Sequence, residues 1–497
     1  MLRVNINSSR HLESKMVLPM PDKNKKKIDI DYYFFTPNKL NVNARNISRE
    51  AMLRKFVAHG RFASPQLTLR ELINDDNSIS PLNVLTYYSE DILHNIPSEQ
   101  AFIHEAQSLT TCMNHLCKTL LQRFKVLCEE EEDKEEMEGV IAKWTAATPK
   151  LIRKVRRVLE ITEKNLPENN LMVTAMLWAD ESLSNAVEAT SLDMYLMSQK
   201  FLGKDSKTRP LLMDLVKNEN EYRQKRNYPT SNQNSENSSY RRSTLKKWSQ
   251  SVLYLNPFVS KSPERVSFAI AGFAAAIAMT FAAVMAIFAN KWFIENSLPY
   301  LLLIITTYAF KDRIKEGLRA LILKIMPRWI SDQVAYLRNP ATGKNICKSK
   351  SKLTFTTPDK VPEKITASRE DYKNPFRSML PPEDVLHYTR YLIINKSDSE
   401  SEAINRAVKN LDFITRIRMD DWLKEMDDSF NDVTYYEEDT EEIATSKAGH
   451  LYHIHMIIEE SSVKDKLDNI YHYLVVMNHS GIVRVELISV TNKFQAN

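Results

Sequence analysis

The apolar positions of this chain gather most densely in its middle. Across residues 266–290 (VSFAIAGFAAAIAMTFAAVMAIFAN) nothing is charged and ten of the 25 residues are alanine. At about 1.5 Å per residue that length exceeds a hydrocarbon layer of ~30 Å, and the pattern predicts a transmembrane helix. A second uncharged run of 15 residues lies between Glu295 and Lys311. Ser297 ahead of Leu298-Pro299 supplies an N-cap and a first-turn proline. Trp292, Tyr300 and Tyr308 suit the interfaces, and Lys311 and Arg313 can snorkel. The apolar part, residues 298–310, covers only about 20 Å, yet with those flanks it is expected to cross as well. Arg241, Arg242, Lys246, Lys247, Lys261 and Arg265 precede the two runs, only Lys291 stands between them, and Lys311, Arg313, Lys315, Arg319, Lys324 and Arg328 come after. Cations on both flanks predict a hairpin with both termini cytoplasmic.

Beyond the second run, Ile314, Leu318, Leu321, Ile325 and Trp329 recur every three or four residues with Lys and Arg opposite. That is an amphipathic basic helix, fit to lie on an anionic membrane or to continue as a stalk. Upstream the periodicity is mainly helical, over residues 101–124 and 171–200, after one early strand at 28–35 that Pro37 stops. Residues 129–138 hold eight acids and 150–157 five bases, the complementary ends of a helical hairpin. Residues 228–243 are rich in Ser, Asn and Gln and predict a mobile tether. Downstream, β-branched and aromatic runs predict strands at 352–357, 385–394, 413–417, 449–459, 471–477 and 483–489. Asn478-His479-Ser480-Gly481 joins the last two as a hairpin, and the acidic stretch 427–442 is expected to be a loop.

The expected architecture is a membrane-anchored α+β protein. Residues 1–227 form a mainly helical cytoplasmic domain with one early strand, and 228–262 a polar linker with a basic juxtamembrane segment. Residues 263–330 form a two-helix transmembrane hairpin with an amphipathic basic helix, and 331–497 an antiparallel β-rich cytoplasmic domain.

Composition excludes more chemistry than it suggests. The chain has 497 residues but only 8 glycines, the nearest pair being Gly317 and Gly343, so the clustered glycines of phosphate loops and nucleophile elbows are missing. Its charge of +5 is ordinary for this length. Cys112, Cys117, Cys128 and Cys347 match neither zinc knuckles nor a disulfide framework. The first 30 residues carry no apolar core of a secretion signal. Five of the 11 histidines fall between His450 and His479. His453 and His455 share a strand face, and with His472 on the next strand and Glu459 nearby they outline a divalent metal site. Histidines on a solvated sheet face explain the same letters. Asp420-Asp421 and Asp427-Asp428 read as turn acids, and no Ser/His/Asp or Cys/His set stands out by spacing. No cofactor is expected, and no nucleic-acid partner, because the basic run 150–157 has no aromatic or polar readers beside it.

Three stretches carry a resemblance: DYYFFTPNKL near the N-terminus, YAFKDRIKEGLR at the end of the second apolar run, and RMDDWLKEMDD with GHLYHIHMII and GIVRVELI after it. Together they resemble an uncharacterised family of bacterial proteins with two membrane helices placed mid-chain, the KDRIKE string being the most specific piece. The resemblance implies a bacterial inner membrane and no known activity. The function expected is therefore a non-enzymatic, membrane-tethered scaffold or interaction protein displaying two cytoplasmic domains. Its partners are the lipid bilayer and a protein or a second copy, the latter through Gly272, Ala276 and Thr280 or Ala278, Ala282 and Ala286 of the first helix. The alternatives are an oligomeric pore or stress effector, and a metal-dependent enzyme using His453, His455 and His472.

Overall fold

Period-two alternation runs through both ends of the chain, and it builds one sheet. In the computed structural model the described residues are 2–21, 25–92, 97–129, 134–199, 201–202, 206–229, 235–260, 262–294, 297–325, 331–340, 342–370, 382–395, 408–437, 442–462 and 467–492. The N-terminal region contributes β1 (Leu2–Ser8), β2 (His11–Pro19), β3 (Lys25–Pro37), the short α1 (Arg49–Leu53) and β4 (Phe56–Phe62). In β2, Leu12, Ser14, Met16 and Leu18 are buried while their neighbours are not. A helical region comes next, with α2 (Leu69–Ile73), α3 (Pro81–Glu90), α4 (Glu99–Glu129), α5 (Lys134–Asn165), α6 (Leu171–Ser198), α7 (Arg209–Lys225) and α8 (Ser235–Ser251). Then come β5 (Tyr254–Ser260), α9 (Ser262–Trp292), α10 (Leu298–Ile325), β6 (Gln333–Arg338), β7 (Asn345–Thr356), α11 (Glu363–Glu370), β8 (Glu383–Asn395) and β9 (Asn410–Arg418). The last elements are α12 (Asp420–Leu423), β10 (Phe430–Glu437), β11 (Glu442–Gly449), β12 (Tyr452–Ser462), β13 (Leu467–Asn478) and β14 (Gly481–Asn492).

Twelve of these strands form one antiparallel sheet in the order β1-β2-β9-β4-β5-β6-β7-β8-β3-β12-β13-β14. The sheet curls until its ends nearly meet, and the Ile482 amide donates to the Ser9 carbonyl at 2.7 Å. Gly481 sits at that seam with φ +143°, and a Cβ there would lie 2.4 Å from the Ser9 oxygen. Tyr32, Phe34, Phe56, Tyr388, Phe413 and Trp422 fill the concave side, with Phe56 stacked on Tyr388 at 4.3 Å. The helical region buries a second core around Phe102, Phe124, Trp144 and Met176.

Both helical excursions leave and re-enter the sheet at neighbouring strands. The bundle α2–α8 connects β4 to β5, which pair through Gly60↔Leu255, and α9–α10 connects β5 to β6, which pair from Asn256↔Arg338 to Ser260↔Val334. Antiparallel strands alternate in direction, so the two insertions emerge from opposite rims. β9 ends and β12 begins at the hairpin rim, and the two-stranded ribbon β10–β11 leaves from there.

These findings correct the expected architecture. Among the described residues only one helix, over Phe268–Trp292, is long and apolar enough to cross a membrane. The apolar part of α10 stops at Phe310 before Lys311, Asp312 and Arg313, so the two-helix transmembrane hairpin and the multi-pass arrangement are not supported. Nor do the flanks form a helical domain and a separate β-rich domain, because β1–β4 and β6–β9 share one barrel-like sheet. Of the expected tether, residues 235–243 belong to α8, which docks through Arg241 on Glu181 (2.7 Å) and Trp248 edge-on to Trp178. The acidic stretch expected as a loop contains β10 and part of β11.

The Gly481→Ala variant is expected to lose about 1–3 kcal/mol of stability, because its methyl group must displace the Ser9 carbonyl from the seam. Gly139→Ala in α5, where a Cβ meets nothing within 4 Å, is expected to be neutral or to gain up to about 1 kcal/mol. Thermal melts of the two variants check both signs.

Candidate functional site

The surface that departs most from a water-facing protein is the outside of α9. Ala274, Ala278 and Ala289 are buried, together with Thr307 of α10, while Phe268, Phe273, Ile277, Met279, Val284, Ile287, Phe288 and Trp292 are exposed. Small residues let the two helices approach closely, and the large side chains are left on the outer face. Tyr300 donates to Asn290 Oδ1 at 2.8 Å across the hairpin tip. From α10, Leu298, Leu301, Leu302, Ile305, Tyr308 and Phe310 extend the same apolar surface. Lys311 closes it, its ammonium 4.4 Å from the Tyr308 ring centre, and the helix continues through exposed Arg313, Lys315 and Arg319. Of the small-residue stripes, Gly272, Ala276 and Thr280 lie on the exposed side, whereas Ala278 is buried, Ala282 half-buried and Ala286 exposed.

Of the three histidines predicted to ligate metal, the structure brings two together. His455 and His472 are buried diagonal neighbours on β12 and β13, with Nδ1 of the first 3.0 Å from Nε2 of the second. His453 lies exposed two residues along β12, and Glu459 is taken up by an ion pair with Lys364 of α11. Among the described residues no group of three or more His, Cys, Asp or Glu side chains is placed to hold a metal ion.

The same convex face holds a cluster that spacing could not reveal, since its two halves, on β3 and β8, are more than 350 positions apart. Asp31 Oδ1 accepts from Thr389 at 2.7 Å and lies 2.7 Å from His387 Nε2, and Tyr33 stacks on the His387 ring at 4.2 Å. A hydroxyl, an imidazole and a carboxylate are the parts of a hydrolytic triad, but the geometry is different. A relay needs the hydroxyl and the carboxylate on opposite ring nitrogens. Here Thr389 Oγ1, 3.2 Å away, shares Nε2 with Asp31. The trio locks β3 to β8 instead. Asp29 beside it is held above the usual carboxylate range by burial and by Asp31 and Glu459.

None of the buried thiols is an activated nucleophile. Burial pushes Cys112 and Cys347 up to about 12 and Cys117 up to about 11, far from the thiolate form. Two of the five bases in the run 150–157 are taken up within the bundle, while Lys150, Arg153 and Arg157 are exposed. Lys154 donates to the Ile73 carbonyl, and Arg156 pairs with Glu219 at 2.7 Å and lies 3.3 Å from the Tyr222 ring centre. Comparison with protein-family models, curated proteins and solved structures finds no match to this chain.

Burial of Glu105 on α4 pushes its carboxyl up to about 7. The folded chain thus keeps a proton there that the unfolded chain releases near the ordinary carboxylate range. Stability should fall as pH rises from that range to about 7 and then level off. Glu105→Gln removes the loss, so unfolding free energies from urea titrations should match wild type in acid and exceed it by on the order of 2 kcal/mol in mild alkali.

Proposed function

We propose that this is a membrane-attached interaction protein, with the exposed apolar face of α9 seated in one leaflet of a lipid bilayer and the barrel and bundle together on the same side of it. One observation carries the reading: α9 is apolar from Phe268 to Trp292, yet only 11% of its most apolar stretch is buried. A core helix of the same composition would be covered by its own protein, and a leader would lie near the N-terminus. An exposed apolar surface this extensive marks contact with lipid or with another protein. The cations of α10 directly beyond the apolar surface suit anionic headgroups.

Several features support the rest of the proposal. β1 and β14 belong to one sheet, so both ends of the chain share a side, and Lys311, Arg313, Lys315 and Arg319 beside the apolar surface favour the cytoplasmic side. The resemblance to bacterial proteins with mid-chain membrane helices favours a bacterial inner membrane. The bundle emerges from the rim opposite the hairpin, and β5, seven residues long, sets a separation of about 23 Å. The ribbon β10–β11, with Phe430, Tyr436 and Ile443 exposed, offers a protein partner a surface on the membrane side. Attachment raises the effective concentration of whatever is held there.

Replacing residues 262–330 with a short turn from β5 to β6 is expected to leave the melting temperature within a few degrees and to abolish co-flotation with phospholipid vesicles. The double variant Ile277→Asp/Val284→Asp should weaken vesicle binding by on the order of 10,000-fold, since each acid deep in the bilayer costs about 2.5–3.5 kcal/mol. A wild-type protein that stays free of vesicles, together with an excised variant that aggregates, would refute the reading.

A further inference from the structure

Inside the barrel, away from the hairpin and the convex face, lies a charge without a counter-charge. Arg390 of β8 is 0% exposed. Its Nε donates to Ser349 Oγ at 3.1 Å and its Nη1 to Thr415 Oγ1 at 2.9 Å. Its Nη2 is buried with no partner. The Phe413 ring lies 5.6 Å away. Among the described residues no carboxylate stands within ion-pairing distance. Glu460, which points into the same interior, is separated from Arg390 in the sheet by Ile30, and Asp412 is taken by Lys15 and Arg61 at 2.8 and 3.1 Å.

A guanidinium cannot escape this position by losing its proton, as a buried lysine or histidine can. Left unpaired in a low-dielectric interior, it carries a desolvation penalty that two neutral hydroxyl acceptors do not offset. The hydroxyls around it are also loosely joined. Ser14 and Tyr32 stand 3.2 Å apart, Tyr32 and Thr415 3.4 Å, and Ser351 and Tyr388 3.2 Å. Well-formed O–H···O bonds close to about 2.7–2.8 Å. All six residues that carry the surrounding hydroxyls, Ser14, Tyr32, Ser349, Ser351, Tyr388 and Thr415, are buried. Each hydroxyl can turn its proton toward an acceptor placed among them.

We propose that the barrel interior binds one small monovalent anion of chloride or formate size on Nη2 of Arg390, with the surrounding hydroxyls completing its shell. The anion neutralises the guanidinium and draws the loose hydroxyls together. It holds β8 to β9 and β2 through Arg390, Thr415 and Ser14. This site is independent of membrane attachment.

The test uses the full chain, exchanged into gluconate, a bulky and weakly coordinating anion, and titrated with sodium chloride, bromide or formate at constant ionic strength. The wild-type melting temperature should rise by a few degrees and saturate, as expected for a ligand held only by the folded state. Arg390→Met should show no such rise and should melt at or above wild type in gluconate. Should that variant fail to fold, bromide-soaked wild-type crystals give a second reading, with an anomalous peak expected beside Nη2. A wild-type melting temperature indifferent to all three anions, with no such peak, means that buried water alone fills the space and overturns the proposal. An equal rise in Arg390→Met overturns it too, by moving the effect elsewhere.

Discussion

Antiparallel pairing of β5 with both β4 and β6 is the constraint on which the rest of the molecule depends. A hydrogen-bonded neighbour must re-enter the sheet beside the place where the chain left it, however long the connection. Residues 63–253 and 261–332 are both such connections. β5 runs from one rim to the other, so the bundle and the apolar hairpin are held at opposite ends of the barrel by a strand of only seven residues. Strand direction alone separates the exposed apolar face of α9 from the largest helical unit. The same rule puts the ribbon on the hairpin's side, because β9 and β12 both meet that rim.

What could be read in the sequence was local. The apolar run of α9 stands out because its composition leaves few alternatives, and β3, β7, β8, β12, β13 and β14 stand out because each alternates over many residues. β2 carried a signal of the same kind in Leu12, Ser14, Met16 and Leu18, obscured by Pro19 and by the helical character of residues 99–225. Pro19 only closes the strand, whose last residue it is. β4, β5 and β6 are six or seven residues each and hold Gly60, Pro257 and Arg338, so their strand character comes from neighbours, not from propensity. The sheet that joins the two ends of the chain could not be read, because pairing between residues hundreds of positions apart leaves no mark on either segment alone. His387 and Asp31 illustrate this at a site: each is unremarkable until β3 and β8 pair.

The tether that became α8 shows a different reason for misreading. Ser- and Asn-rich composition signals disorder because such a segment has little apolar surface to bury. Here the missing hydrophobic contribution is partly supplied by charge. α6 carries Asp180, Glu181 and Glu188 inside the bundle, and cations from other helices meet them: Arg156 from α5 on Asp180, Arg223 from α7 on Glu188 at 2.6 Å, and Arg241 from α8 on Glu181. Acids buried on a central helix would be costly without these partners. Arg241 and Arg242, which the sequence suggested as juxtamembrane cations, therefore pair with Glu181 and Glu188 of α6, Arg241 half-buried and Arg242 at the exposed edge. Only Trp248 and Leu245 add substantial apolar contact.

Two kinds of buried charge thus coexist in one chain, and the contrast clarifies both. In the bundle Asp180, Glu181 and Glu188 each have an arginine within reach, and the pairing fixes which helix lies against which. In the barrel Arg390 has hydroxyls but, among the described residues, no acid within pairing distance, although the sheet could have offered one: Ile30, its neighbour in register, occupies a strand whose next alternate residues, Asp29 and Asp31, point to the convex side. Period two makes that separation strict, since a strand cannot move an acid to the other face without shifting its whole register. The register of β3 is fixed by Tyr32 and Phe34 in the core. The interior cation is therefore a consequence of the packing that closes the barrel, and its charge has to be balanced by something other than the strand beside it.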